Sequence, residues 1–189
     1  TRSVRSAQRG MWGWSLNVAV LPESEPVRAW LSLGSNIEPR RHIAQAIEDL
    51  QALFGDLVIS PVYESKAVGL KGDNFYNLVV GVVTRLSPQA LVQRLRGIEE
   101  KNGRLREADK FAPRTLDVDL LTYGDMVLSE PGLQLPRAEI TRYAFVLLPL
   151  SEVAGDEIYP PNGLSYRALW AAFNDPSQVL WRIPWDGRG

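Results

Sequence analysis

The spacing of apolar residues along this chain changes period several times, and each change marks an element. Residues 27–33 (VRAWLSL) alternate and are apolar enough for a first strand, which runs into the turn Gly34-Ser35-Asn36. Pro39 suits the first turn of a helix. Ile43, Ala46, Ile47, Leu50 and Leu53 then recur at helical spacing until Gly55. Residues 57–63 read as a second strand, 65–73 as a loop rich in Gly and Lys, and 74–84 (NFYNLVVGVVT) as a long third strand. Pro88 opens a second helix with Leu91, Leu95 and Ile98 on one face. A loop over 103–113 leads to a fourth strand at 116–122, and Tyr123-Gly124-Asp125 reads as a hairpin turn into 126–128.

The order β-α-β-β-α-β predicts an α+β fold of the ferredoxin-like kind, an antiparallel sheet with helices packed on it. C-terminal helical additions follow: a short helix near 144–150, a last helix around 164–173, and a final strand or tail at 179–185. The run PESEP at 22–26 separates an N-terminal extension, 1–26, expected to be poorly ordered, from a single domain over 27–189. Arg2, Arg5 and Arg9 ahead of an apolar stretch superficially resemble an export signal. Gly13, Ser15 and Asn17 interrupt that stretch and no small-residue cleavage site follows, so an extension is the preferred reading.

Composition narrows the function classes. With 45% hydrophobic and 23% charged residues the chain has an ordinary globular balance. A formal net charge of -1 gives no global electrostatic case for nucleic acid or an anionic membrane, and no segment is long and apolar enough to span one. The absence of cysteine excludes disulfides, thiolate metal sites and cysteine nucleophiles, and is compatible with a cytoplasmic location. The single histidine, His42, excludes His-rich metal sites and reads as an exposed surface residue. Of the six tryptophans, Trp170, Trp181 and Trp185 read as core or capping residues of the last elements.

The basic residues are instead concentrated locally. Residues 103–121 (GRLREADKFAPRTLDVDLL) carry Arg104, Arg106, Lys110 and Arg114 just ahead of Asp117 and Asp119. The two aspartates sit at i, i+2 within a strand, so both carboxylates share one face, about 7 Å apart along the strand. Such a pair can hold one or two hard cations. Cations delivered by a Gly-containing loop suit a polyphosphate that the same metals bind. The combination suggests phosphoryl or pyrophosphoryl transfer. Alone, an Asp-x-Asp on a strand is more often its solvent face.

The run 111–121 (FAPRTLDVDLL) closely resembles the signature of the 6-hydroxymethyl-7,8-dihydropterin pyrophosphokinases of folate synthesis. The resemblance extends from about Ala29 to Asp156 through Leu33-Gly34-Ser35-Asn36, Val62-Tyr63-Glu64-Ser65, Asn74-Phe75-Tyr76-Asn77 and the run 142–150 (RYAFVLLPL). That family has a ferredoxin-like fold and moves a pyrophosphoryl group from ATP to the pterin hydroxymethyl oxygen, releasing AMP. The resemblance implies two Mg²⁺ ions on Asp117 and Asp119, with ATP as co-substrate. It implies Arg106, Arg114, Asp117 and Asp119 as the catalytic set. Glu99, Arg104, Lys110, Arg114, Leu120, Arg137 and Arg142 would form the ATP site. Ser65, the backbone of Val68 and Gly69, Phe75, Asn77 and Phe145 would hold the pterin, with Phe75 and Phe145 stacking on it and the Asn77 amide reading its edge.

The sequence also departs from the family pattern. Phe111 stands where many members have Trp, Lys66-Ala67 where many have two prolines, and Arg137-Ala138 where a His-Tyr pair is usual. These departures motivate one alternative, a catalytically weak or inactive paralogue that binds pterin or nucleotide. A second alternative is a plain ferredoxin-like interaction domain. The partners expected are small molecules, with neither nucleic acid nor membrane, and the oligomeric state is left open.

Overall fold

The computed structural model describes residues 24–67, 72–103 and 115–188. The predicted extension therefore lies almost wholly outside the described residues.

The first strand, β1 (Val27–Ser35), is followed by helix α1 (Pro39–Phe54). Pro39 sits in the first turn, and Gly55, at φ 75°, ends the helix in a conformation that a side chain would resist. Strands β2 (Val58–Ile59), β3 (Val62–Ser65) and β4 (Phe75–Thr84) lead to α2 (Pro88–Lys101). The Ser87 hydroxyl accepts from the Ala90 amide 3.1 Å away and so caps α2. Strand β5 (Asp117–Tyr123) completes the core sheet. Two short strands near the C-terminus, β8 (Ile158–Tyr159) and β9 (Leu164–Ser165), pair with each other, and β10 (Leu180–Ile183) joins the core sheet, whose neighbours are all antiparallel in the order β10-β3-β4-β1-β5, with β2 paired to β4. Without β10 this is the ferredoxin-like order expected from the element sequence.

The sheet sorts its side chains by strand alternation. Ala29, Leu31, Leu33, Leu78, Val80, Val82, Val118 and Leu120 face α1 and α2 and form the larger core with Ile43, Ala46, Leu50, Leu91, Leu95 and Ile98. Trp30, Val79 and Leu121 face the other way, toward Ile140 of α3 (Glu139–Arg142), Val146, Leu147 and Leu150 of α4 (Ala144–Val153) and Tyr166 of α5 (Tyr166–Ala172). The predicted C-terminal helices thus close the second face. Among the described residues no helix is long and apolar enough to cross a membrane.

Gly81 shows how closely this second layer packs. A Cβ there would stand 2.5 Å from the Trp30 ring. That ring is 3% exposed, and its Nε1 donates to Glu157 at 2.9 Å, so it cannot simply turn away. Gly81→Ala is therefore expected to cost roughly 1–3 kcal/mol by overpacking. Denaturant unfolding checks this, and an unchanged midpoint would contradict it.

Three expectations need correction. The single strand expected at 57–63 is two, because Pro61 has no N–H to donate and the Ser60 hydroxyl takes the Val79 amide at 2.8 Å in place of a ladder carbonyl. The turn after β5 exists, with Met126 N donating to Tyr123 O at 3.1 Å, but it does not make a hairpin with β5. Strand β6 (Leu128–Glu130) pairs instead with β7 (Leu133–Leu135). Pro131-Gly132 joins them, and Gly132 at φ 79° fits the position of a tight turn that demands glycine. His42 is half-buried, not exposed, with its Nδ1 3.1 Å from Asn102 Oδ1, which links the start of α1 to the end of α2.

Trp170 and Trp185 pack, partly buried, against the two cores, whereas Trp181, expected as a core or capping residue, is 38% exposed on β10. Trp170 stacks on Phe173, Trp181 donates to Glu64 at 3.1 Å, and Trp185 lies against the Arg40 guanidinium.

Candidate active site

Register across the sheet brings the polar residues of four strands into rows. Directly opposed residues share a face. Asp117 of β5 lies opposite Gly34 of β1, Gly34 opposite Asn77 of β4, and Asn77 opposite Tyr63 of β3. Asp119 lies opposite Ser32, and Phe75 opposite Ser65. Farther along the same face come Trp30, Val79 and Leu121, which α3, α4 and α5 cover. One face of the sheet thus carries an apolar part under helices and a polar part formed by residues too small or too hydrophilic to pack there.

Asn77 is the fixed point of this polar part. It is 5% exposed, and its Nδ2 donates to Ser65 Oγ at 2.9 Å and makes longer contacts with the carbonyls of Phe75 (3.4 Å) and Tyr63 (3.5 Å). A buried amide needs such partners, so its orientation is set. Its Oδ1 faces the space over Gly34, where a Cβ would stand 3.4 Å from Oδ1 and 3.9 Å from the Phe75 ring. Glycine at 34 keeps that space free. Tyr63 donates its hydroxyl to Glu152, fixing β3 to α4. Burial and then this hydrogen bond push the phenol up to about 12, so Tyr63 remains neutral near pH 7.

Beside Ser65 opens a cleft of about 320 Å³, lined by Ser65, Lys66, Ala67, Phe145 and Tyr143 and closed by 175–180. Phe145 and Tyr143 stack with centroids 5.0 Å apart and planes at 15°. Phe75 does not line this cleft. It sits half-buried on the adjoining part of the sheet.

The carboxylates lie at the other end of the row, half-buried on β5. Arg137 Nη1 stands 3.6 Å from Asp119 Oδ1, and its Nε 3.0 Å from Glu139 Oε2. The Arg137 amide donates to Leu121 O at 2.8 Å, fastening this residue to β5. Glu99 is 7% exposed and accepts from the Val118 amide at 2.9 Å, joining α2 to the same strand. Glu99, Asp119, Leu120 and Arg137 line one small cavity of about 200 Å³. The Leu120 side chain, 4% exposed, belongs to the core, which leaves its backbone as the part that a ligand can meet. Arg142 opens instead onto a separate hollow with Leu147, Leu169 and Phe173. Val68, Gly69, Arg104, Arg106, Lys110, Phe111 and Arg114 lie outside the described residues.

Among the described residues no group of three or more His, Asp or Glu side chains gathers as a metal cage. A two-carboxylate site is nonetheless the kind Mg²⁺ uses, since it keeps waters and substrate phosphates as its remaining ligands. The paired oxygen donors, their shared face and the small residues Gly34 and Ser32 across from them fit that ion.

Residues 30–155 match the family model described as 7,8-dihydro-6-hydroxymethylpterin-pyrophosphokinase. The chain belongs to this pyrophosphokinase family. It is 35% identical over 161 residues to the 2-amino-4-hydroxy-6-hydroxymethyldihydropteridine pyrophosphokinase of Pseudomonas aeruginosa, covering 83% of this chain and 97% of that one. Identity to the like-named protein of Methylorubrum extorquens is 38% over 156 residues, covering 80% and 96% of the two chains. The crystal structure of wild-type Plasmodium falciparum HPPK-DHPS superposes with a TM-score of 0.61 at 16% identity. That likeness concerns the fold, and it spans 80% of this chain but only 45% of the Plasmodium chain.

Within this pyrophosphokinase frame, sequence reasoning missed the residues that support the site without a motif of their own. Gly34 was visible as a turn residue and, like Tyr63, as part of a block, and Glu139 and Gln178 gave no signal. Gly34, Tyr63 and Gln178 act through contacts between elements distant in the chain, such as Tyr63 with Glu152 or Gln178 with the Ala144 amide, and Glu139 acts through Arg137.

Proposed function

We propose that this chain transfers a pyrophosphoryl group from ATP to the hydroxymethyl oxygen of 6-hydroxymethyl-7,8-dihydropterin, a step of folate biosynthesis, in the cytoplasm and with two Mg²⁺ ions. The observation that carries the site assignment is the register: Asp117, Gly34 and Asn77 lie side by side on one face, so a metal-phosphate end and a heterocycle end adjoin.

Asn77 and Ser65 read the pterin edge, for which an amide can donate and accept at once. Phe145, and Phe75 on the adjoining sheet, offer ring faces for stacking. Asp117 and Asp119 hold the Mg²⁺ ions. Bound there, Mg²⁺ neutralises charge on the reacting phosphates and makes the β-phosphorus more electrophilic. Arg137 presents a fixed positive charge beside Asp119, and the sequence adds Arg104, Arg106, Lys110 and Arg114 just ahead of the aspartates. Glu99 holds the β5 backbone from behind, which makes it a support for the nucleotide site more than a ligand in it.

In the reaction the hydroxymethyl oxygen attacks the β-phosphorus in line. The bond from that phosphorus to the α–β bridging oxygen breaks, the bridging oxygen leaves with AMP, and the hydroxyl proton passes to solvent. Holding the two substrates end to end accounts for much of the rate, because positioning converts a bimolecular step into a local one. The testing assay couples AMP to a chromogenic readout while ATP, Mg²⁺ and the reduced hydroxymethylpterin are omitted in turn. AMP is expected only when all three are present. A folded protein that binds ATP or pterin tightly yet releases no AMP would support the inactive-paralogue reading instead.

A further inference from the structure

We propose that Gln178, beyond the family-matched stretch 30–155, is the positioning residue that sets Phe145 for the pterin, and that the segment around it completes the specificity wall of the cleft. This rests on the pyrophosphokinase reading of the site.

The half-buried Gln178 amide uses both of its ends at the α3–α4 junction. Its Oε1 accepts from the Ala144 N–H at 2.8 Å, satisfying a donor at the start of α4 that has no partner within the helix. Its Nε2 donates to the Arg142 carbonyl at 2.8 Å and to Asp175 Oδ2 at 3.0 Å. Tyr143 and Phe145, the two stacked rings of the cleft, flank the bonded Ala144. One side chain therefore grips the backbone on both sides of Tyr143 and fixes the turn from which both rings project.

Gln178 is itself anchored. Asp175 accepts from the Ser177 hydroxyl, from Gln178 and from the Ser177 amide, and these bonds hold its carboxyl below the usual range. Two residues later β10 begins, with Leu180 opposite Ser65, which is bonded to Asn77. The C-terminal segment thus spans from the amide that reads the pterin edge to the ring that stacks on it. Val179 and Leu180 line the cleft between these points.

The test measures pterin affinity in the presence of Mg²⁺ and a non-hydrolysable ATP analogue. Gln178→Leu removes all three hydrogen bonds at similar size, and the loss of the two to the backbone on either side of Tyr143 predicts pterin binding weakened roughly five- to thirtyfold. The affinity for the analogue should stay within about twofold. Because Gln178 acts through Phe145, Gln178→Leu should add little in a Phe145→Ala background. Gln178→Glu retains the acceptor for Ala144 but no donor, is expected to give the same selective loss, and serves if Leu destabilises the fold. Unchanged pterin affinity, equal loss for pterin and analogue, or full additivity with Phe145→Ala would overturn the inference. Absence of pterin binding by the unaltered protein would overturn it together with the functional reading.

Discussion

Asp117→Ala and Asp119→Ala are each expected to lower kcat for AMP release by about 10³-fold or more, on the order of 4 kcal/mol of transition-state stabilisation. Both side chains leave β5 on the polar face of the sheet, and neither belongs to either apolar core. The fold should therefore be little affected. The Arg137–Asp119 pair is more than a third exposed on both sides, and pairs of that kind contribute about 0–1 kcal/mol. Urea unfolding should place both variants within about 1 kcal/mol of the parent. The combination of lost turnover and retained stability separates a functional carboxylate pair from surface decoration. Near-normal kcat in either variant would remove that residue from the reacting centre.

The second large effect is expected at the opposite end of the row. Asn77→Leu keeps the side chain's approximate size and loses its capacity to donate and accept. The expected result is a 10- to 100-fold drop in kcat/KM for the pterin, about 1.4–2.8 kcal/mol, with KM for ATP within about twofold. The asymmetry follows from position. Asn77 is two strands away from Asp117, with Gly34 between them, and its Nδ2 is bonded to Ser65. Ser65 Oγ would lose a partner on substitution, so a modest fall in stability accompanies the kinetic change. Equal losses for both substrates would place Asn77 in the structural frame and not in the pterin site.

The fold was legible wherever local pattern determines the outcome. Helices α1 and α2 begin at Pro39 and Pro88, as the spacing of Ile43, Leu50, Leu91 and Leu95 indicated. Long apolar β4 could be placed because its central run, 77–82, is buried on both faces. What the sequence hid was the choice of partner. The tight turn after Tyr123 looks like any hairpin turn, but Gly124 N donates back to Arg28 O in β1, and the chain leaves before it can pair with β5. Ser60 interrupts the second strand through a side-chain hydrogen bond that no periodicity encodes.

The site was legible as residue types and not as a layout. Asp117 and Asp119 declared a shared face by their spacing alone. That Asn77 would stand in the same row depends on the registers of two strand pairs, and that Gly34 would separate them depends on both. The replacement at Arg137 was visible as a departure. Its contacts with Asp119 and Glu139 arise from the path of the chain after β7 and could not be read from spacing. Leu120, taken as part of the ATP site, proves to be core through its side chain because strand alternation turns it toward α2.

The most direct test of the account is phosphorus NMR of a reaction containing the protein, ATP, Mg²⁺ and 6-hydroxymethyl-7,8-dihydropterin, run alongside Asp117→Ala. Pyrophosphoryl transfer at this site predicts AMP and a pterin diphosphate in equal amounts, with neither formed by the variant. ADP with a pterin monophosphate, or the same products at the same rate from Asp117→Ala, would contradict it.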